Sequence, residues 1–353
     1  MISTHVVFAR EVGHDSHGVR PNPSSVIFAG DAHATRLHAV LPGPVVRVEN
    51  RAQLCSAVAR GGVVFVDLDR LPRLAGARLD VPIIAIADCK PADALPTTIS
   101  AFESYTALSH VMTASLLDSP RACTHLAALL ERLAVGPEQM ILGAGATGRL
   151  ALLAAADRRS NRLERMADFF AKHNVSERTI AATLEVAEEL VMNALYDAPS
   201  ESGYFKKPRQ RVENVELPPE LACEISYGLD DQMVFVRVRD HFGSLSQARL
   251  VQVLARCNTR TVTLDESRGG AGLGLWRVFA AASAVAISVV PGVLTEILVG
   301  IAMRNTPACP KQLHAVHLFF TPKSEEYESM TIVPDEEPEL GLLDQSVTLI
   351  RVA

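Results

Sequence analysis

Residues 268–276 read RGGAGLGLW, with glycine at 269, 270, 272 and 274, and run straight into the apolar segment LWRVFAAASAVAI. Glycine at this density lets backbone N–H groups approach a ligand, because no Cβ stands in the way. A helix that starts directly afterwards adds the positive end of its dipole, and the combination suits an anion. A second glycine-rich stretch, LGAGATGRL at 142–150, fits the G-x-G-x-x-G dinucleotide spacing more closely. That spacing requires a strand before it, a helix after it and an acidic residue about 20 positions on. The preceding VGPEQMIL is short and weakly strand-like. The following RLALLAAADRR and NRLERMADFFAKH read as helix upon helix. GAGATG therefore reads as a helix–helix turn, and RGGAGLGLW is the phosphate-binding candidate.

The bulk of the chain narrows the function classes. Its 353 residues are enough for two domains, and 48% hydrophobic content with only 5% aromatics implies aliphatic cores. A net charge of −6 provides no basic footprint for nucleic acid. No run reaches the roughly 18–20 apolar residues of a membrane span. The N-terminal MISTHVVFAREVGHD lacks the basic and apolar regions of a secretion signal, so a cytoplasmic location is expected. The six cysteines (55, 89, 123, 223, 257 and 309) form no C-x-x-C pair, as expected of free thiols in a reducing compartment.

Residues 1–22 read as a polar, flexible lead-in. Apolar runs then alternate with helical patterns: SSVIFAGD (24–31), PVVRVEN (44–50), GVVFVDLD (62–69), VPIIAIAD (81–88) and SYTALSHVM (104–112). Continuous β-branched runs separated by helices predict a parallel sheet covered on both faces. The expectation over 23–117 is an α/β domain of flavodoxin-like kind. Residues 118–160 read as a helical connector.

Ser176 then caps a long helix, SERTIAATLEVAEELVMNALYDA, whose apolar stripe runs through Ile180, Leu184, Ala187, Val191 and Leu195 and which Pro199 is expected to end. LACEISYGLDDQMVFVRVRD predicts a hairpin turning at 229–232, and AVAISVVPGVLTEILVGIAM another turning at Pro291–Gly292. QLHAVHLFF is a last strand. The expectation over 161–321 is an antiparallel sheet with helices on one face. Residues 322–353 read as an acidic, mobile tail.

Four pieces recur in a known order. Glu189-Leu-Val-Met-Asn193-Ala ends the long helix, Asp240-His-Phe-Gly243 ends a strand, Gly270-Ala-Gly272-Leu273-Gly274-Leu opens a helix, and Thr295 lies on a late strand. The chain from about 160 to 320 resembles the GHKL superfamily of ATP-binding domains, shared by histidine kinases, gyrase-type ATPases and bacterial anti-sigma serine kinases. The resemblance implies a Bergerat-type α/β sandwich that binds ATP and Mg²⁺. It implies Asn193 as the Mg²⁺ ligand and Glu189 as the catalytic residue that orients or deprotonates a nucleophile. It further implies Asp240 on the adenine amino group with Thr295 assisting, and Gly243, Gly270, Gly272, Leu273 and Gly274 around the nucleotide. Arg260 and Arg268, in a short polar lid at 258–268, could reach a γ-phosphate or equally well face solvent.

The pattern has departures. Phe242 stands where the family carries glycine, and Tyr196-Asp197 stand where many relatives carry Lys and His. Neither His125 nor His173 is followed by the pattern of a phosphoacceptor histidine. The first domain resembles a response-regulator receiver in rhythm. Asp31 and either Asp67 or Asp69 fill acidic positions, but Ala85-Ile86-Ala87 offers no hydroxyl and Ser109-His110 replace the lysine, so a pseudo-receiver is expected. The implied function is a cytoplasmic signalling protein acting on a protein partner, either a serine/threonine kinase of anti-sigma type or a non-catalytic nucleotide sensor or scaffold. A homodimer is compatible with either.

Overall fold

The structure, a computed structural model, describes residues 6–7, 25–59, 61–74, 79, 81–105, 108–135, 147–258, 273–304, 312–321 and 348–351. The chain is α/β, built on one large mixed sheet. A two-residue strand β1 (Val6–Val7) comes first. The parallel part follows as β2 (Ser25–Phe28), α1 (Asp31–Val40), β3 (Val45–Arg47), α2 (Arg51–Val58), β4 (Val63–Asp67), β5 (Ile83–Ala87), α3 (Ala94–Ser104), β6 (His110–Thr113) and α4 (Ala122–Val135). These strands lie in the order β3-β2-β4-β5-β6, all parallel. Val63, Val64, Phe65 and Val66 are all buried because both faces of β4 are covered: Val64 and Val66 join one apolar cluster, Val63 and Phe65 the other. The fifth strand, expected over 104–112, is shorter, at His110–Thr113, and Ser104 is the last residue of α3.

The second part begins with a correction. The RLALLAA run is a strand, β7 (Thr147–Leu153), and not a helix. Ala151 and Leu153 are buried while Leu152 is exposed, the alternation of a sheet. Gly148 permits this pairing, because a Cβ there would strike the Tyr227 backbone of the neighbouring strand. Residues 142–146 of the GAGATG stretch lie outside the described residues. There follow α5 (Arg159–Lys172), α6 (Glu177–Met192), a π-helical turn at Asn193–Asp197, and α7 (Ala198–Glu201). Ser176 Oγ caps α6 by accepting from Thr179 N at 3.3 Å. Pro199 does not end the helix. A proline ring clashes with the carbonyl four residues back and lacks an N–H. The wider π-turn just before it accommodates this, and the helix runs on to Glu201.

Next come β8 (Cys223–Leu229), β9 (Met233–Asp240), α8 (Gln247–Asn258), α9 (Leu273–Ala281), β10 (Ala284–Val290), β11 (Leu294–Ala302), β12 (Ala315–Phe320) and β13 (Thr348–Arg351). Both predicted hairpins form. The strand order is β1-β13-β7-β8-β9-β11-β10-β12, and β12 continues it into β6. The sheet is therefore not purely antiparallel: β12 runs parallel to β10 and antiparallel to β6. The ends of the chain also differ from expectation, since 6–7 and 348–351 pair as strands, while residues 8–24 and 322–347 lie outside the described residues.

The junction of the two strand sets is rich in buried polar groups. His110 and His317 face each other across β6 and β12, and His125 Nε2 shares a 2.8 Å hydrogen bond with His317 Nε2. Burial, helped by Arg132, holds the His110 imidazole down at about 3. Burial with Arg121 and His314 nearby holds His125 at about 4. Burial likewise keeps His317 well below the ordinary histidine value. Beside them Glu296, only 1% exposed, receives Arg132 at 3.3 Å, Arg237 at 3.2 Å and Arg239 at 3.5 Å.

Candidate functional site

Helix α6 lies across β9 and β11 and against α9. This arrangement gathers most of the residues singled out by sequence at one end of the sheet. Asp240 is the last residue of β9 and Thr295 the second of β11, and the ladder sets them directly opposite each other. Both are buried, at 7% and 4% exposure. Burial pushes the Asp240 carboxyl up to about 7, although the Phe242 and Gly243 backbone N–H groups pull it down. Phe242 N donates to Asp240 Oδ1 at 2.9 Å. The Thr295 hydroxyl is close enough to favour the ionised carboxylate, yet it makes no hydrogen bond of good geometry. Asp240 Oδ1 thus has its partner in Phe242 N, while the hydroxyl opposite is buried without a well-formed bond, a polar group that calls for an explanation.

The turn after Asp240 depends on glycine. Gly243 has φ +55, and a Cβ there would collide with the Val290 carbonyl and the Gly292 amide of the β10–β11 turn. Its carbonyl accepts from Gly292 N at 3.1 Å. Phe242 does not spoil this turn: its ring is buried and packs against Tyr204 at 5.6 Å between centroids.

Leu273 and Gly274 are the first residues of α9. Gly274 is buried against the side chain of Glu189, so closely that a Cβ would overlap that carboxylate. Gly270 and Gly272, with Arg260, Arg268 and most of the expected lid, lie outside the described residues.

Glu189 and Asn193 share a face of the helix, as their spacing of four predicts. Sequence reasoning missed their partner, Arg211. Its guanidinium donates to both Glu189 oxygens at 3.0 and 3.1 Å, to Asn193 Oδ1 at 2.9 Å and to Asp197 Oδ2 at 2.6 Å. Burial would lower its pKa, but the hydrogen bonds and charges of Glu189 and Asp197 prevail and raise it. Burial also raises Asp197 from its ordinary value, with Arg211 opposing. Arg211 lies in a polar loop with no periodicity to mark it. The one local signal is the π-turn at Asn193–Asp197, a distortion that concentrates at functional positions.

The three oxygen-bearing side chains of this set suit a hard cation such as Mg²⁺. Arg211 already satisfies them, so the set fits the ion only with the guanidinium moved aside. Among the described residues no group of three or more His, Cys, Asp or Glu side chains could hold a metal.

No family model and no curated protein matches this chain.

The parallel part has its own crevice, a cavity of about 670 Å³ at the carboxyl ends of β2 and β4. Asp67 sits there with its oxygens occupied: Gly30 N donates at 2.6 Å and His33 Nδ1 lies at 2.7 Å. Arg70 Nε is 3.8 Å away. Asp31 pairs with Arg47, and Asp69 is exposed. The expected lysine position is filled by buried His110.

Proposed function

We propose that this chain is a regulatory protein that binds Mg·ATP at the β9–β11 end of the sheet, beside α6 and α9. The observation that carries the reading is the opposed pair Asp240 and Thr295. An exocyclic adenine amine is a donor that would complete the Asp240 carboxylate. The Thr295 hydroxyl would find its partner on the same base, directly or through water. A buried carboxylate of this kind costs the fold stability, and a ligand that needs it is the physical reason to keep it.

The rest of the set supports the same ligand. Leu273 and Gly274 open α9, whose N-terminal end favours phosphate. Asn193, with Glu189 and Asp197 beside it, would hold the Mg²⁺. That ion supplies charge neutralisation on the phosphate oxygens. Glu189 then lies where it would orient a nucleophile. The antiparallel hairpins beneath α6 and α9 are consistent with a Bergerat-type sandwich.

The strand order of the parallel part, with β2 between β3 and β4, is that of flavodoxin-like sheets. We read that part as a pseudo-receiver that presents a surface to a protein partner, because Asp67 is already bound by Gly30 and His33. No described helix is long and apolar enough to cross a membrane, which is compatible with a cytoplasmic site of action.

Two activities remain within this reading. Transfer of the γ-phosphoryl group to a serine on a partner follows from the resemblance to anti-sigma serine kinases. Binding without turnover is favoured by Arg211, which engages both oxygens of Glu189. Calorimetric titration with ATP and ADP, followed by radiolabel transfer in wild type and Asn193→Ala, separates them. Label on a partner that disappears in Asn193→Ala supports the kinase. Tight binding with no turnover supports the sensor. Absence of nucleotide binding rejects both.

A further inference from the structure

We propose that Arg211 is a built-in cation that closes the metal position of the nucleotide site, so that a divalent ion enters only in exchange for this guanidinium. The proposal rests on the nucleotide reading for its purpose, but its chemistry is separate. Glu189 and Asp197 bring two negative charges and Asn193 a neutral oxygen, and Arg211 neutralises one of the two charges. Its planar fork contacts all three side chains at once, at 2.6–3.1 Å. A divalent ion needs the same lone pairs, so the two cations are mutually exclusive on charge and on geometry.

The segment carrying Arg211 is anchored by contacts that do not involve its guanidinium. Tyr196 OH donates to the Glu213 carbonyl at 2.6 Å, which ties the loop to the π-turn two residues beyond Arg211. Arg209 and Gln210 N both meet the Glu213 carboxylate, at 3.0 and 2.8 Å. The loop thus keeps its own anchor when the guanidinium leaves. Val212, the next residue, is 88% exposed and adds no packing to hold Arg211 down. Arg211 Nε is buried without a hydrogen-bond partner, so the seat is incomplete. What retains Arg211 is the oxygen set itself, and an ion that takes those oxygens releases it. Release also removes the guanidinium from both Glu189 oxygens and passes them to the ion. Metal entry and loss of the Arg211 clamp on Glu189 are then one event.

The test uses Mn²⁺ alone, followed by electron paramagnetic resonance on the full chain without nucleotide. Arg211→Gln is expected to bind Mn²⁺ at least about tenfold more tightly than wild type, because the site regains its second negative charge. Adding Asn193→Ala is expected to abolish that gain. Should Arg211→Gln fail to fold, Arg211→Lys carries the same test: it keeps a charge but loses the fork, and is expected to bind Mn²⁺ more tightly than wild type. Equal Mn²⁺ affinity in wild type and variant overturns the proposal. So does a gain that survives Asn193→Ala, or no binding in either protein. A parallel titration with ADP in EDTA distinguishes the two ideas. If ADP fails to bind while the Mn²⁺ result holds, the nucleotide reading falls and the cation exchange stands.

Discussion

Asp240 and Thr295 face each other across the β9–β11 ladder, one a carboxylate raised to about 7 and the other a hydroxyl lacking a well-formed hydrogen bond. The unfolded chain would ionise Asp240 near its ordinary value of 3.8, so the folded state binds the extra proton between that value and about 7. The Asp240 contribution therefore weakens as pH rises through this window and stays unfavourable above it. At pH 8, Asp240→Asn is expected to stabilise the ligand-free protein by about 2–4 kcal/mol, since each unit is worth about 1.4 kcal/mol. Chemical denaturation at pH 8 and pH 4 checks this. A variant less stable than wild type at pH 8 contradicts it.

Gly274→Ala sets two effects against each other. Alanine improves helix propensity by up to about 1 kcal/mol. Its Cβ must also displace Glu189, whose carboxylate Arg211 clamps at 3.0 and 3.1 Å. Overpacking of this kind costs about 1–3 kcal/mol, so net destabilisation is expected. Urea melts of Gly274→Ala and of Gly274→Ala/Glu189→Ala decide the cause: the second substitution makes room and should recover the loss. No recovery in the double variant counts against the contact.

Glu296 is the shared anion of three guanidinium groups at the junction. Glu296→Gln leaves Arg132, Arg237 and Arg239 together without it, with Glu224 still pairing Arg237 at 3.2 Å and Arg239 at 3.5 Å. Breaking such a buried network by removing one partner costs about 3–5 kcal/mol. Equilibrium unfolding measures it, and a cost under about 1 kcal/mol, the range of an exposed pair, refutes it.

The fold was legible where local rules decide it. Ser176 and the stripe from Ile180 to Leu195 mark α6, and Pro291–Gly292 marks its hairpin. β7 was not legible, because Leu and Ala favour helices and the deciding fact, Gly148 against the Tyr227 backbone, is a tertiary contact. The union of β12 with β6 was hidden for the same reason: His317 and His110 lie 207 positions apart in sequence. Of the site, Glu189, Asn193, Asp240, Gly243, Gly274 and Thr295 come from a motif pattern. Arg211 does not, since nothing in RQRVEN distinguishes a loop arginine that binds a helix from one that faces water.

The junction histidines make stability acid-sensitive. His110 and His125 are neutral in the fold down to about 3 and about 4, while the unfolded chain takes up protons near 6.5. The unfolded state therefore binds more protons below that value. Their contribution is complete above about 6.5 and is lost as pH falls toward 4. Asp240 acts in the opposite sense over part of this window, so the experiment belongs in Asp240→Asn. Denaturation from pH 7.5 to pH 4.5 is expected to show a stability loss that shrinks in His125→Leu/His317→Leu. An unchanged slope in that variant contradicts the assignment.

In the proposed function the Asp240 end of the sheet takes the adenine of ATP. Thermal unfolding with and without Mg·ATP, in wild type and Asp240→Asn, tests it most directly. A ligand of the folded state held at about 100 times its Kd stabilises that state by about 2.7 kcal/mol. A clear rise in the wild-type melting temperature is expected and none in Asp240→Asn, although the variant begins from the more stable state. No rise in wild type, or an equal rise in both, contradicts it.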